Sequence, residues 1–169
     1  FDYQKENFRR YAFHDAYGNP KGINVSQILQ TADSCYWMID DSGFCSLDLK
    51  KNLVSYLPLP DTNTRESIRI AYKAKDNDRI WLGGQNGGIY YCDPPYRKIE
   101  FFVRARAENV YAILPDKDKL WVGYDWGGVD IFTKQGILVE HMGDEMSGNS
   151  KLLSSRVRNI FRNNNEIWI

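Results

Sequence analysis

The chain reads LWVGYDWGGVDIF at residues 120–132 and IWLGGQNGGIYY at residues 80–91. In both stretches a Trp between two apolar residues is followed by Gly, then by three further residues, then by Gly-Gly and another apolar residue. A weaker copy, YWMI, begins at residue 36, and a fourth copy, IWI, occupies residues 167–169. Equivalent tryptophans therefore recur roughly every 40 to 47 residues, a period typical of propeller blades or of helical-pair repeats. They are Trp37, Trp81, Trp121 and Trp168.

A second motif, Val-x-x-Ile, precedes these tryptophans at residues 25–28, 110–113 and 157–160, and is degenerate at residues 68–71. Each period also contains four short runs rich in β-branched and aromatic residues, separated by Gly, Pro and Asp. In the third copy the runs are residues 110–114, 119–124, 128–133 and 137–141. Such runs predict strands and hairpin turns, and no window holds a helical periodicity over ~10 residues. Four strands per period predict the antiparallel blade of a β-propeller.

The glycines and tryptophans of the motif are predicted to be structural. The double glycines follow the second strand of a blade, where a tight turn needs positive φ. The glycine after each Trp-x pair lets neighbouring sheets pack closely. We assign this repeat-structural role to Trp37, Trp81, Gly83, Gly87, Gly88, Trp121, Gly123, Gly127, Gly128 and Trp168.

The repeat also predicts how the chain is divided. We expect an all-β chain with about three whole blades and two partial ones, forming a partial propeller over residues 1–169. The predicted segments are residues 1–13 (the end of a blade), 23–56, 68–103 and 109–142 (whole blades), and 156–169 (the start of a blade). Partial blades leave strand edges unpaired. We therefore expect either a piece of a larger propeller or pairing of these edges, within one copy or in a homodimer.

Composition excludes several classes of protein. Lys+Arg and Asp+Glu both number 22, so the formal charge is zero, and no basic excess favours nucleic acid or anionic lipid. The apolar runs are far shorter than the ~20 residues that a membrane-spanning helix requires. No signal peptide is recognisable after Phe1. The sequence thus predicts no direct contact with nucleic acid and no membrane insertion by this segment.

The sequence offers little catalytic or metal-binding chemistry. His14 and His141 lie far apart, and neither has a Ser or Cys at a recognisable triad spacing. The acidic runs at residues 76–78 and 116–118 lack the central Gly and terminal Glu of a calcium loop, and hairpin turns are expected there. The three cysteines, Cys35, Cys45 and Cys92, do not have metal-ligand spacing. We expect no catalytic residue, no metal and no cofactor.

The repeat resembles the two-component regulator propeller repeat of hybrid two-component regulators. Val110, Ile113 and residues 120–123 and 127–129, with their counterparts in the other copies, carry the resemblance over essentially the whole chain. The resemblance implies a non-catalytic, periplasmic or extracytoplasmic sensor module that responds to an oligosaccharide-type signal. In such regulators a histidine kinase and a DNA-binding receiver region, which complete the phosphorelay, follow the propellers. The segment itself is then not an enzyme, whatever kinase activity a parent chain carries.

The candidate ligand-binding residues lie in two equivalent turns. Trp126 falls in a turn where the repeat demands no large ring, and an exposed indole can stack on a sugar. Packing against a neighbouring blade is the alternative. Equivalent turns of adjacent blades lie side by side, so Gln85 and Asn86 should neighbour Tyr124, Asp125 and Trp126 and offer amides beside an aromatic platform. Arginine pairs such as Arg104 with Arg106, Arg65 with Arg69 and Arg156 with Arg158 are either solvated or able to bind an acidic glycan.

Two other functions fit a propeller. A propeller lyase or glycosidase needs carboxylates or histidines on the innermost strands, and the segments assigned there (residues 25–29, 110–114 and 156–161) carry none. A protein-interaction scaffold of tryptophan-aspartate repeats would carry Gly-His and terminal Trp-Asp pairs, which are missing here. Both remain alternatives to the sensor interpretation.

Overall fold

A computed structural model describes residues 12–14, 17–21, 24–31, 36–40, 43–48, 51, 53–60, 66–145 and 147–169. Apart from one short 3-10 turn at Gly148–Ser150, all regular structure in these residues is β. The strands are Phe13–His14 (β1), Pro20–Lys21 (β2), Val25–Gln30 (β3), Tyr36–Asp40 (β4), Gly43–Asp48 (β5), Leu53–Tyr56 (β6), Ile68–Lys73 (β7), Ile80–Gly84 (β8), Gly88–Cys92 (β9), Glu100–Arg104 (β10), Val110–Asp116 (β11), Lys119–Tyr124 (β12), Val129–Thr133 (β13), Leu138–Met142 (β14), Phe161–Asn163 (β15) and Glu166–Trp168 (β16). The described residues contain no helix long and apolar enough to cross a bilayer.

The chain divides into two compact units, and the first comprises residues 1–56. Strands β3 to β6 form an antiparallel meander, in the order β6-β5-β4-β3. Met38, Cys45, Leu47 and Val54 form its core, and Trp37 stacks on Phe44 with ring centroids 5.0 Å apart.

Two short strands extend this first sheet. Strand β1 pairs in parallel with β6, and β2 pairs antiparallel with β1. The sequence placed residues 1–13 at the end of a separate blade; residues 1–11 lie outside the described part of the chain, and Phe13 joins the outer edge of the first sheet. Pairing with β1 covers an edge of β6 that would otherwise leave backbone groups unpaired.

The second unit, residues 57–169, contains two four-stranded antiparallel sheets and one two-stranded sheet. The strand orders are β10-β9-β8-β7, β11-β12-β13-β14 and β15-β16. In each four-stranded sheet the two middle strands are almost entirely buried, as is typical of a sheet covered on both faces. The predicted all-β fold, built from four-stranded antiparallel blades, is confirmed.

The tryptophans of the repeat occupy equivalent registers. Trp37, Trp81, Trp121 and Trp168 each lie on the second strand of their sheet. Their partners on the first strand are Leu29, Tyr72, Leu114 and Phe161. The sequence period of the tryptophans therefore corresponds to one structural unit per copy.

A β-bulge recurs between the first and second strands of each complete blade. The register shifts between Val25 and Gln27, between Ile68 and Ile70, and between Val110 and Ala112. The extra residue lies directly after the first residue of the Val-x-x-Ile motif, at Ser26, Arg69 and Tyr111. A bulge leaves its extra residue out of the ladder and redirects the side chain. Three equivalent side chains are thereby set apart from the pairing of the sheet.

Contacts between neighbouring sheets of the second unit join the two sequence motifs. A Cβ at Gly83 would overlap a methyl group of Val110, and a Cβ at Gly123 would lie 2.6 Å from Cγ1 of Val157. The glycine of each Trp-x-Gly therefore accepts the valine of the next Val-x-x-Ile. Both valines are buried, in cores shared between adjacent sheets. The two motifs keep the same period because they form one repeated contact.

The double glycines allow two close backbone approaches. Gly128 has φ of 68°, and a Cβ there would strike the carbonyl oxygen of Met142. Gly87 has φ of 78°, and its Cβ would lie 2.6 Å from the carbonyl oxygen of Ala107. Positive φ thus occurs in both turns, as expected for glycine.

Candidate ligand-binding surface

The two turns predicted to be neighbours are joined through the backbone of Asn109. Its N–H donates to the carbonyl oxygen of Gln85 at 2.6 Å, and its own carbonyl accepts from the N–H of Asp125 at 3.1 Å. Asn109 adopts φ of 55°, a left-handed conformation that Asn tolerates better than most residues. The structure therefore brings the Gln85–Asn86 turn and the Asp125–Trp126 turn together.

Trp126 presents its ring to solvent instead of packing it into a neighbouring sheet. The side chain is 65% exposed, and Cζ of Arg156 lies 4.3 Å from the ring centroid. A guanidinium over an indole is held by cation–π attraction and dispersion. Because this contact fixes one face of the ring without burying it, the surface has a preformed aromatic platform.

Asp125 pairs with two arginines beside that platform. Its Oδ1 lies 3.4 Å from Nε of Arg156 and 2.8 Å from Nη2 of Arg158. Cζ of Arg158 in turn lies 4.3 Å from the ring centroid of Tyr111. The result is two guanidinium groups side by side, each against an aromatic ring and both against one carboxylate.

The Gln85–Asn86 turn is held by a different pair of arginines. Arg69 donates to Oε1 of Gln85, and Arg104 donates to the carbonyl oxygen of Asn86, both at 2.6 Å. Glu66, whose side chain is fully buried, accepts from the N–H of Asn86 at 2.6 Å and lies 3.6 Å from Arg104. These contacts fix the turn and use much of its hydrogen-bonding capacity.

Tyr124 does not belong to the exposed surface on which the sequence analysis placed it. Its ring is completely buried, and its hydroxyl donates to Oδ2 of Asp130 at 2.9 Å. Burial, followed by the nearby charge of Asp130, raises the pKa of Tyr124 far above its usual range. Tyr124 is the last residue of β12, and its side chain is buried in the sheet. A ligand bound at the turns therefore does not reach it. We leave Tyr124 out of the candidate surface.

A polar network extends from Tyr124 toward the edge strand β14. Asp130 is buried, and its Oδ1 lies 2.7 Å from Nδ1 of His141. Nε2 of His141 lies 3.0 Å from Oε1 of Glu145. Since both ring nitrogens of His141 contact carboxylates, this histidine holds strands together and leaves neither nitrogen for general base chemistry in this arrangement.

The acidic runs that superficially resemble calcium loops lie at hairpin turns. Asp78 has φ of 57° and pairs with Lys73 at 2.9 Å, while Asp116 accepts from Nε of Arg162 at 2.7 Å. Within the described part of the chain, no three His, Cys, Asp or Glu side chains come together in a group that could hold a metal ion.

Sequence reasoning undervalued one position of the repeat. Arg69, Tyr111 and Arg158 all follow the first residue of their Val-x-x-Ile copy. From the sequence, the two arginines were assigned only to clusters that are either solvated or able to bind an acidic glycan. No role was assigned to Tyr111. The signal in the sequence was the presence of three large polar or aromatic side chains at one repeat position.

Neither a protein-family model nor a curated protein sequence matches the chain. Solved structures do match. Two describe the extracellular domain of BT4673 from B. thetaiotaomicron, as a one-component system in one case and a hybrid two-component system in the other. They have TM-scores of 0.72 and 0.71 at 17% and 18% identity, covering 86% and 89% of this chain. The computationally designed Ika4 protein has a TM-score of 0.56 at 12% identity, covering 87% of this chain and 84% of its own.

The chain spans 20% of the length of each BT4673 domain, so the similarity concerns part of a much larger extracellular region. At such low identity the likeness establishes the fold. The chain has the fold of part of an extracellular domain described for a hybrid two-component system, which is the fold implied by the resemblance to the two-component regulator propeller repeat.

Proposed function

We propose that this chain is part of the extracytoplasmic sensor region of a hybrid two-component regulator and that it binds an oligosaccharide-type signal. The fold of the BT4673 extracellular domains supports the first half of the proposal, together with the repeat that runs through the whole sequence. The surface formed by the Gln85–Asn86 and Asp125–Trp126 turns supports the second half.

The exposed ring of Trp126 is the observation that carries the binding site. A solvent-facing indole fixed by Arg156 provides a flat apolar face, and Asp125, which pairs with Arg156, provides polar atoms beside it. Apolar platforms with a few convergent polar groups are typical of sites for small polar ligands. Nothing in the packing of the repeat requires a ring at this position.

The segment is proposed to act by binding, without catalysis. Asp125, the residue before Trp126, is an ion-pair partner of Arg156 and Arg158. A general acid or base needs a carboxylate or imidazole that can exchange a proton with substrate. A propeller enzyme or a protein-interaction scaffold gains no comparable support from the geometry.

Calorimetric titration of the full-length protein with a panel of oligosaccharides tests this function. We expect one class to bind, and Trp126→Ala to weaken that binding about five- to thirtyfold, because stacking on an aromatic ring contributes on the order of 1–2 kcal/mol. Trp126→Phe keeps a ring and should retain part of the affinity. Leu153→Ala, which alters a fully exposed apolar side chain outside the turns, is the control. Unchanged affinity in Trp126→Ala would place the ligand elsewhere.

A further inference from the structure

We propose that the ligand is an anionic oligosaccharide and that Arg156 and Arg158 form the subsite for its carboxylate or sulfate group. This inference rests on the proposed function and defines its substrate class. The subsite is the pair of guanidinium groups that meets at Asp125, bordered by the rings of Trp126 and Tyr111.

Positive charge exceeds negative charge where Arg156 and Arg158 meet Asp125. Arg156 and Arg158 share a single carboxylate oxygen, Oδ1 of Asp125, so two positive charges face one negative charge. Because the formal charge of the whole chain is zero, a general excess of basic residues does not explain this local excess of positive charge. An anionic group that binds at the pair neutralises the remaining positive charge. It thereby offsets the electrostatic repulsion between the two guanidinium groups.

The hydrogen-bond donors at this point are also incompletely used. Arg156 engages Asp125 through Nε, and in the described part of the chain its two terminal nitrogens donate no hydrogen bond to a side chain or carbonyl. Arg158 engages Asp125 through Nη2. The side chains are 47% and 54% exposed, so the remaining donors face solvent. Guanidinium forks of this kind match the geometry of carboxylates and sulfates.

Both arginines are held in position before any ligand arrives. Each guanidinium lies 4.3 Å from an aromatic centroid, Arg156 over Trp126 and Arg158 over Tyr111. Fixing a long side chain in advance reduces the entropy lost on binding. The same rings offer apolar faces to the sugar ring that carries the anionic group. Charge recognition and sugar stacking thus occur at one place.

The other arginine pair is a poorer anion site. Arg104 already donates to the carbonyl oxygen of Asn86 and lies 3.6 Å from the buried carboxylate of Glu66. Arg69 donates to the side chain of Gln85. These contacts tie both guanidinium groups to the Gln85–Asn86 turn, so the unbalanced charge is concentrated at Arg156 and Arg158.

The test compares three probes on the full-length protein by calorimetry: a uronic acid oligosaccharide (oligogalacturonate), its fully methyl-esterified form, and a sulfated galactose oligosaccharide. Esterification removes the charge and keeps the sugar. We expect at least one anionic probe to bind ten times or more tightly than the ester, since hydrogen bonds to charged groups contribute about 1.5–3 kcal/mol. The ratio between uronic and sulfated probes identifies which anion fits.

Single substitutions test whether the preference for an anionic probe over the ester comes from Arg156 and Arg158. Arg156→Gln and Arg158→Gln should each lower affinity for the anionic probe about tenfold and lower affinity for the ester much less, because the ester has no anionic group to bind the guanidinium groups. Asp125→Asn removes the competing carboxylate and should tighten anion binding. Arg97→Gln, the same change at another exposed arginine, is the matched control for net charge. Circular dichroism of each variant checks that the fold is retained.

The outcomes separate this inference from the function on which it rests. Equal affinity for the anionic probes and the ester, or an Arg97→Gln effect as large as those of Arg156→Gln and Arg158→Gln, overturns the anionic subsite while oligosaccharide binding stands. Failure of all three probes to bind while another oligosaccharide of the panel binds overturns the anionic subsite alone, and failure of the whole panel overturns both. A preference for an anionic probe that disappears in the two arginine variants supports the subsite.

Discussion

Single residues determine how the blades of the second unit approach one another. Gly123 has no Cβ, and that space is filled by a methyl group of Val157 from the following segment. Gly83 and Val110 repeat the contact one period earlier. Protein interiors are close-packed, so such a position tolerates no added methyl group without movement of its neighbours.

Gly123→Ala should therefore destabilise the protein. We expect the free energy of unfolding to fall by about 1–3 kcal/mol, because the added Cβ overpacks the contact with Val157. In a Val157→Ala background the same substitution should be much less unfavourable, since the clashing methyl group is gone. Urea unfolding of the two single variants and the double variant measures this coupling. Strictly additive effects would show that the two residues do not meet.

At the residue scale, the sequence singled out Trp126 because the repeat requires no large ring at this position. The ring is exposed, and ligand binding there stays a prediction. Tyr124, two residues earlier, was misplaced because it ends a strand, and the sequence does not tell which face its side chain takes. The pairing of Asp125 with Arg158 depends on the approach of two segments far apart in the chain, which local patterns do not contain.

At the scale of elements, a buried polar network joins three strands. Tyr124 on β12, Asp130 on β13 and His141 on β14 form consecutive hydrogen bonds across the sheet. Buried polar groups are stabilising only while every member keeps its partner. The network therefore ties the strand that leads into the Trp126 turn to the outer edge of its blade.

Tyr124→Phe tests that network. We expect a loss of about 1–3 kcal/mol in the free energy of unfolding, because Oδ2 of Asp130 stays buried without its donor. Tyr91→Phe is the matched control, since the hydroxyl of Tyr91 makes no hydrogen bond to any described residue. Chemical denaturation followed by circular dichroism compares the two. A Tyr124→Phe variant as stable as Tyr91→Phe would contradict the role given to the network.

The buried thiol of Cys92 on β9 should make the free energy of unfolding depend on pH. Burial raises the pKa of its thiol from 9.0 to about 11. Between these values the folded state keeps a proton that the unfolded chain releases, so the free energy of unfolding falls as pH rises, by at most ~1.4 kcal/mol per pH unit from this group. Urea midpoints at pH 8, 9 and 10 measure the slope. Cys92→Ala should make it shallower; an identical slope would show that the thiol does not contribute.

The elements themselves were largely predictable, and their pairing outside the repeat was not. Runs of β-branched and aromatic residues, bounded by Gly, Pro and Asp, placed the four strands of the third blade within a few residues of their observed bounds. The β-bulges escaped detection because a one-residue insertion leaves no compositional trace. Strands β1 and β2 are too short to give a pattern, and their addition to the first sheet depends on an available edge of β6.

At the scale of the whole molecule, the first strand of the first blade differs from its counterparts in exposure. Val25 and Ile28 of β3 are 38% and 58% exposed, whereas the corresponding residues of the later copies, Val110 and Ile113, and Val157 and Ile160, are buried. The period of the sequence predicted this architecture, because a repeated contact must keep a constant spacing. It did not predict which faces are covered.

We expect the isolated 169-residue chain to self-associate, as a homodimer or a larger assembly, through this apolar face of β3. Light scattering over a range of concentrations should show a mass above that of one chain. Ile28→Glu should shift the distribution toward monomer, and Leu153→Glu, at another exposed site, should not. A monomer at all concentrations would contradict this expectation.

The claim that a ligand binds on the Trp126 platform is tested most directly by the indole N–H signals of the protein in two-dimensional NMR. The signal of Trp126, assigned by its loss in Trp126→Phe, should shift as an anionic oligosaccharide is added, while the signals of the packed Trp37 and Trp81 stay in place. An unmoved Trp126 signal at saturating ligand would contradict the account.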